Sequence, residues 1–323
     1  GSDHFSTVIY EGNGTGQRIG NFVPYTDNGT IAKSLMFNDA DNAYLQRTND
    51  SGDRTKATVS FWVKRGHLSG NINQIFDVYD GSSTNDGYIR FNTNNTISTR
   101  IGSPSNHLYT TNRSFEDTSK WYHIVLSVDT SDSTADDRVK LYVDGDRVTS
   151  FSSQTNPGQG DNTQFNYSSA NFRIGSTTSG NYDFDGYIAE FNYVDGTAYQ
   201  PSTFGMTDTS TGRWIPKTLT GITYGTNGHR LEFANSAGQT IGDDTSSNTN
   251  DFSVTNSVVA DVMIDTPTQN FTNMNGDNTG SFTIAEGGLN ITHPGSGQYE
   301  QIVGCPSFGV ATGKWYWELR VYN

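Results

Sequence analysis

Residues 121–151 read WYHIVLSVDTSDSTADDRVKLYVDGDRVTSF. Ile124, Leu126 and Val128 alternate with His123, Val125 and Ser127, and Val139, Leu141 and Val143 alternate with Lys140, Tyr142 and Asp144. A period of two is that of half-buried strands rather than a helix. The polar run DTSDSTADD between them has nothing to bury and reads as a loop. Asp144-Gly145 supplies the positive-φ residue that a tight hairpin needs before Val148. Three antiparallel strands with one apolar face cannot stand alone, so a second sheet must cover that face.

Outward from this stretch the same punctuation repeats. Leu35 and Phe37, then Tyr44 and Leu45, then Val59, Phe61 and Val63 mark strands on the N-terminal side. Ile75, Phe76 and Val78, Tyr88, Ile89 and Phe91, and Ile97, Thr99 and Ile101 mark three more, divided by Asp/Gly/Asn turns at the spacing of a β-sandwich. Residues 152–171 read as a long polar loop, Phe172–Gly175 as a strand, Trp214 and Pro216 as an extended segment, and Leu231 and Phe233 as one further strand.

The run Trp-Tyr-His, an alternating apolar strand and Leu-Tyr-Val-Asp-Gly resembles the central signature of laminin-G/pentraxin-type domains. SLMFNDADNAYLQRT (34–48) with TVSFWVKRG (58–66) resembles their opening strands, and FDGYIAEFNYVDGTAYQPSTF (184–204) their closing strand and terminal turn. The resemblance implies an all-β, concanavalin A-like jelly-roll sandwich, a fold that hosts many functions. RLEFANSAGQTIGDDTSSNTNDFSV (230–254) resembles the strand and loop that open such domains, yet follows its end. Residues 228–256 therefore either supply the missing edge strands of a circularly permuted sandwich or form a separate hairpin.

The expected organisation is an N-terminal hairpin or arm at 1–33, the sandwich at 34–256, a linker at 257–280 and a small β region at 281–323. GKWYWELRV, with Trp315 and Trp317 on one face, resembles the early strands of SPRY domains and stops too soon to complete one. DGTAYQPSTFGMTDTSTGRWIPK, YGTNGHRLEF, GDDTSSNTND, DTPTQNF and GKWYWEL together are similar to fibre or appendage proteins of marine tailed bacteriophages. That implies an extracellular virion-surface component, often trimeric or otherwise oligomeric, that meets host-surface glycans and other virion proteins.

Composition narrows the partners. The 323 residues carry a formal charge of −14, which repels nucleic-acid phosphates. Only 32% of residues are hydrophobic, yet 12% are aromatic, which fits a turn-rich β protein better than a disordered one. No apolar run reaches membrane-spanning length, and GSDHF at the start does not read as a signal peptide, so a soluble chain without membrane insertion is expected. The single cysteine, Cys305, can form no internal disulfide, and the six histidines show no zinc-ligand spacing.

For chemistry, glycoside hydrolysis needs two facing carboxylates, whereas Glu190, Glu232 and Glu318 each stand alone on a strand pattern. His123 beside Trp121 reads as a packed imidazole, and no nucleophile elbow accompanies it. A non-enzymatic protein is expected. The resemblance implies that Asp39, Asp41 and Asn42 meet Asp183 and Asp185 at one end of the sandwich and bind Ca²⁺, an ion that takes hard oxygen ligands; the same residues are also ordinary turn formers. Asp243, Asp244, Asn248, Asn250 and Asp251 form a rival acidic loop. Aromatic candidates for a sugar face are Tyr79, Tyr88, Tyr109, Tyr167 and Tyr182, with His107; tyrosines in sandwiches also straddle core and water.

Overall fold

The computed structural model describes residues 29–292 apart from 69, 82–85, 103–106, 210, 235–237, 258, 272 and 274–282. The N-terminal hairpin expected before residue 29, Cys305 and the SPRY-like strands with Trp315, Trp317 and Glu318 lie outside the described residues. In chain order the strands are β1 (Ser34–Phe37), β2 (Tyr44–Thr48), β3 (Lys56–Arg65), β4 (Asn73–Tyr79), β5 (Asp86–Phe91), β6 (Thr96–Arg100) and β7 (Leu108–Ser114). They continue as β8 (Tyr122–Asp129), β9 (Val139–Val143), β10 (Asp146–Arg147), β11 (Phe151–Gln154), β12 (Asn171–Ile174) and β13 (Gly186–Asp195). Beyond these come β14 (Gly205–Thr207), β15 (Trp214–Pro216), β16 (His229–Leu231), β17 (Ser253–Thr255), β18 (Val262–Met263), β19 (Thr283–Ala285) and β20 (Asn290–Thr292).

Two antiparallel sheets form the sandwich. Sheet A has the order β10-β9-β8-β3-β13-β1-β18, with β16 also on β13, and sheet B the order β11-β7-β6-β5-β4-β12-β2-β17. The alternation seen in the sequence decides which side chains meet between the layers. Ile124, Leu126 and Val128 are fully buried in the common core with Val59, Phe61 and Val63 of β3. Burial of each such side chain contributes about 1.5–3 kcal/mol. Phe191 of sheet A stacks on Phe61 at 5.4 Å and meets Phe76 of sheet B edge-on at 6.0 Å, so aromatic rings join the layers. The β9–β10 turn is the expected one: Asp144 (φ 53°) and Gly145 (φ 86°) both take positive φ, and a Cβ on Gly145 would strike the Trp214 ring.

The alternate face of sheet A is also covered. Met36, Trp62, Trp121, Tyr187 and Ala189 pack beneath Ile31, while Val125, Tyr142 and Val194 pack beneath Phe204 and Tyr224. The β14–β15 hairpin and its flanks supply part of this cover.

Residues 228–256 enter both sheets, β16 pairing with β13 and β17 with β2. The stretch from 257, whose proline and turn residues read as a linker, adds β18 to β1 and lies against sheet A through residue 273. There the fully buried Lys64 ammonium donates to Asp265 Oδ2 (2.8 Å), Asn270 Oδ1 (2.8 Å) and the Phe271 carbonyl (2.6 Å). The polar loop 152–171 is likewise less superficial than its composition suggests. Phe165 is buried in the core, and Asn166 donates to the Asp53 carbonyl (2.6 Å) while accepting from Tyr193 Oη (2.7 Å).

Candidate functional site

At one end of the sandwich two acidic segments converge. Asn38 starts a short 3-10 turn, its Oδ1 accepting from Ala40 N (3.1 Å), and Asn42 in the left-handed region (φ 51°) ends it. This places a half-buried Asp39 at the rim. Across from it, Phe184 inserts into the core against Phe37 with ring centroids 6.0 Å apart. Asp183 and Asp185 flank it in the chain and lie outside the hydrophobic cluster that Phe184 joins. Asp185 is fully buried, its carbonyl accepting from Gly66 N (3.1 Å), and its Oδ1 occupies the space that a Cβ on Gly66 would need.

The electrostatics here are unbalanced. Asp183 Oδ1 and both carboxylate oxygens of Asp185 are buried without a hydrogen-bond partner. Burial pushes both carboxyls above their ordinary pKa, with Asp39 adding like-charge repulsion to each. His67 Nδ1 stands 3.2 Å from Asp185 Oδ1, off the hydrogen-bond line. Contact with the Asp185 carboxylate raises the His67 pKa against the opposing effect of burial. Tyr182, next to Asp183, is 42% exposed and is the most exposed described tyrosine.

Of the residues expected at this end, Asp39 lies near enough to both Asp183 and Asp185 to repel their charges, while Asp41 and Asn42 are exposed and serve the turn, their carbonyls accepting from Asn256 Nδ2. Among the described residues no three His, Cys, Asp or Glu side chains already stand close enough together to hold a metal ion. No motif or spacing singled out His67, whose place follows from β3 pairing with β13 at Arg65 and Gly186.

The aromatic candidates do not gather. Tyr88, His107 and Tyr109 are buried; Tyr109 Oη donates to Asn156 Oδ1 (2.7 Å), and Arg90 covers the Tyr88 ring at 4.5 Å. Tyr167 lies under Arg54 (4.6 Å), near the Asp195 end of β13. Ten residues of extended chain put that end roughly 30 Å from Asp185. Tyr79 and His107 belong to the same far end, through Asn171 and Asp161 respectively. Only Tyr182 among them neighbours the carboxylates.

The rival acidic loop is consumed by the fold. Asp244 accepts from the backbone of Arg230, Ser246 and Asn250, each at 2.8 Å, and from Ser246 Oγ. Asp251 accepts from Asp244 N, and Asp243 caps Thr240. Elsewhere, buried His123 lies between Trp62 and Trp214, its pKa pushed down to about 3 by desolvation. Trp214 Nε1 donates to its Nδ1 (2.9 Å), which leaves the proton on Nε2 facing Ser60 Oγ (2.9 Å). A ring in that tautomer cannot take the serine proton, so the pair is structural.

Residues 38–203 match the laminin-G-type family of concanavalin A-like folds. The chain belongs to the concanavalin A-like lectin/glucanases superfamily. Its sandwich is thus the concanavalin A-like jelly roll, a lectin-type fold, and Asp39, Asp183, Asp185 and Tyr182 all fall inside the matched laminin-G-type region. Arg230, β16, β17, β18 and Asp265 fall outside it. Among solved structures, the SAP-like pentraxin of Limulus polyphemus is 16% identical, with 53% of this chain and 79% of that one covered and a TM-score of 0.39. A Bacteroides ovatus protein described as carbohydrate-binding is 14% identical over 71% of this chain and 58% of its own, with a TM-score of 0.47. The CBM40 domain of a Ruminococcus gnavus sialidase, bound to sialyllactose, is 14% identical over 45% of this chain and 88% of its own, with a TM-score of 0.33. Among curated proteins none matches this laminin-G-type chain in sequence. No helix among its described residues is long and apolar enough to cross a membrane.

Proposed function

We propose that the chain is a non-enzymatic, lectin-like module that binds host-surface glycans at the acidic rim. The observation that carries this reading is the buried Asp183 Oδ1 and Asp185 carboxylate, the latter facing His67 Nδ1 at 3.2 Å, beside exposed Tyr182. A hard divalent cation fits that donor chemistry. Asp39, Asp183 and Asp185 would hold Ca²⁺, which supplies a positive centre for sugar hydroxyls. Tyr182 would offer its ring to the C–H face of the sugar. The resemblance of the quoted motifs to tailed-phage appendage proteins is what supports a place on a virion surface outside the cell, in an oligomer such as a trimer. Support for a role without catalysis comes from His123, locked neutral, and from Glu190, tied to Arg230 Nε at 2.6 Å.

Glycan-array binding of the full chain in Ca²⁺ and in EDTA tests the proposal. Binding should be lost in EDTA and in Asp185→Asn, and weakened in Tyr182→Ala; binding indifferent to all three overturns it. A second reading, a purely structural fibre or capsid-decoration subunit, draws on exposed Val259, Ile264 and Leu289 near edge strand β18 and the turn after β19, which suit a subunit contact. A stable oligomer by mass measurement with no glycan bound would favour it.

A further inference from the structure

Sheet A is split along one edge of β13. Leu35–Phe37 of β1 pair with Gly186–Ile188, and β16 pairs with Phe191–Tyr193, so the edge changes partner at Glu190. On the opposite edge the register with β3 shifts between Ala189 and Asn192. Glu190 takes a left-handed backbone (φ 49°) at this bulge, and Phe233, just beyond β16, does the same (φ 53°). Non-glycine residues are seldom held in that region, and bulges re-aim side chains. Here the bulge brings Glu190 to a cavity of about 130 Å³ under the segment that leaves β15.

The lining of the cavity divides by chemistry. Glu190 and Arg230 line it together, joined by the 2.6 Å contact from Arg230 Nε to Glu190 Oε1, and Arg230 Nη2 reaches Glu232 Oε1 at 2.9 Å. Ile31, Phe204, Pro216 and Leu219 supply apolar surface. Thr30 and Thr218 add hydroxyls. An adjacent carboxylate acceptor and guanidinium donor match a vicinal diol, each hydroxyl donating to one and accepting from the other. Apolar walls suit the C–H faces of a small ring. Lys217 also lines the cavity, its ammonium donating to the Ser202 carbonyl (3.0 Å), and Glu190 and Glu232 both engage Arg230. The two carboxylates and two cations around the cavity balance, and an added ligand charge would upset that balance in a half-buried site.

We infer that this seam is a second ligand site, for a neutral, monosaccharide-sized polyol. It lies outside the acidic rim, five residues along β13 from Asp185, and needs no metal. The test is a titration of the full chain, in EDTA, with glucose, galactose and xylose, and with glucuronate and glucosamine as charged counterparts, followed by amide NMR shifts. A neutral sugar should move Thr30, Glu190 and Arg230 saturably, and the charged sugars should bind about tenfold more weakly. Thr218→Trp, at an exposed lining position, should plug the cavity and abolish those shifts while the remaining amide spectrum stays that of the folded chain. Absence of shifts with every neutral sugar, shifts that survive Thr218→Trp, or a preference for a charged sugar would each overturn the inference. EDTA keeps the outcome separate from that of the rim.

Discussion

Replacing Asp265 with asparagine would test whether the segment after β17 is part of the sandwich. Asp265 receives Lys64 Nζ at 2.8 Å on one oxygen, and Trp121 Nε1 at 2.9 Å and Phe271 N at 3.3 Å on the other. Asparagine keeps one acceptor for Trp121 but turns an amide donor toward a fully buried ammonium. Lys64, whose pKa burial already lowers against the raising effect of Asp265, would keep only neutral acceptors on Asn270 and Phe271. Removing one partner of a buried ion pair costs about 3–5 kcal/mol. At roughly 2–4 °C per kcal/mol for a domain of this size, the midpoint of thermal unfolding should fall by roughly 6–20 °C. Calorimetry reads this directly, with Asp146→Asn on exposed β10 as the surface control. Lys64→Met combined with Asp265→Asn removes the stranded charge and should recover at least half of the loss. If Asp265→Asn unfolds within about 1 kcal/mol of the control, the segment is a loosely laid tether and the buried-pair argument fails.

Three further outcomes follow from the buried groups. In EDTA, the raised pKa of Asp185 means that its contribution to stability is present below the ordinary carboxylate pKa and is lost as pH rises through the folded value. Asp185→Asn should therefore be more stable than the parent near neutral pH without Ca²⁺, and Ca²⁺ should raise the parent's unfolding midpoint but not the variant's; calorimetry at two pH values decides. Asp77, buried on β4 and pushed up to about 6 by desolvation, accepts from Thr178 N and Oγ1. Asp77→Asn should match the parent near pH 4 and exceed it by roughly 3 kcal/mol at pH 7; equal denaturation midpoints at both pH values would contradict this. His123, with its pKa near 3, should show no imidazole ¹⁵N titration between about pH 4 and 8 and a protonated Nε2 throughout. A titration midpoint near 6.5 would mean that the Trp62–His123–Trp214 stack opens to water.

Side-chain alternation and turn chemistry are local properties, and they made much of the sandwich legible. Ile124, Leu126 and Val128 reach the core because a period of two leaves them no other face, and Asp144-Gly145 closes its hairpin because both residues tolerate positive φ. Asp39, Asp183 and Asp185 could be named in advance on the family resemblance. Composition misled where polar residues satisfy one another inside the fold. Residues 152–171 read as a surface loop, yet Gln164 and Asn166 are buried. Asp243, Asp244 and Asp251, the rival acidic loop, hold backbone amides.

The sequence by itself therefore determined the strands, their core faces and the turns between them, because these depend on neighbours one to four residues away, while the meeting of the acidic turns at one end came only from the family resemblance. Tertiary structure alone decided that His67 faces Asp185, that Tyr167 and Tyr182 stand at opposite ends, that Asp265 neutralises Lys64 from 201 residues away, and that β13 changes partner at Glu190. Those arrangements depend on strand order and register, which pair residues far apart in the chain, and the local alternation of apolar side chains is the same for many such pairings.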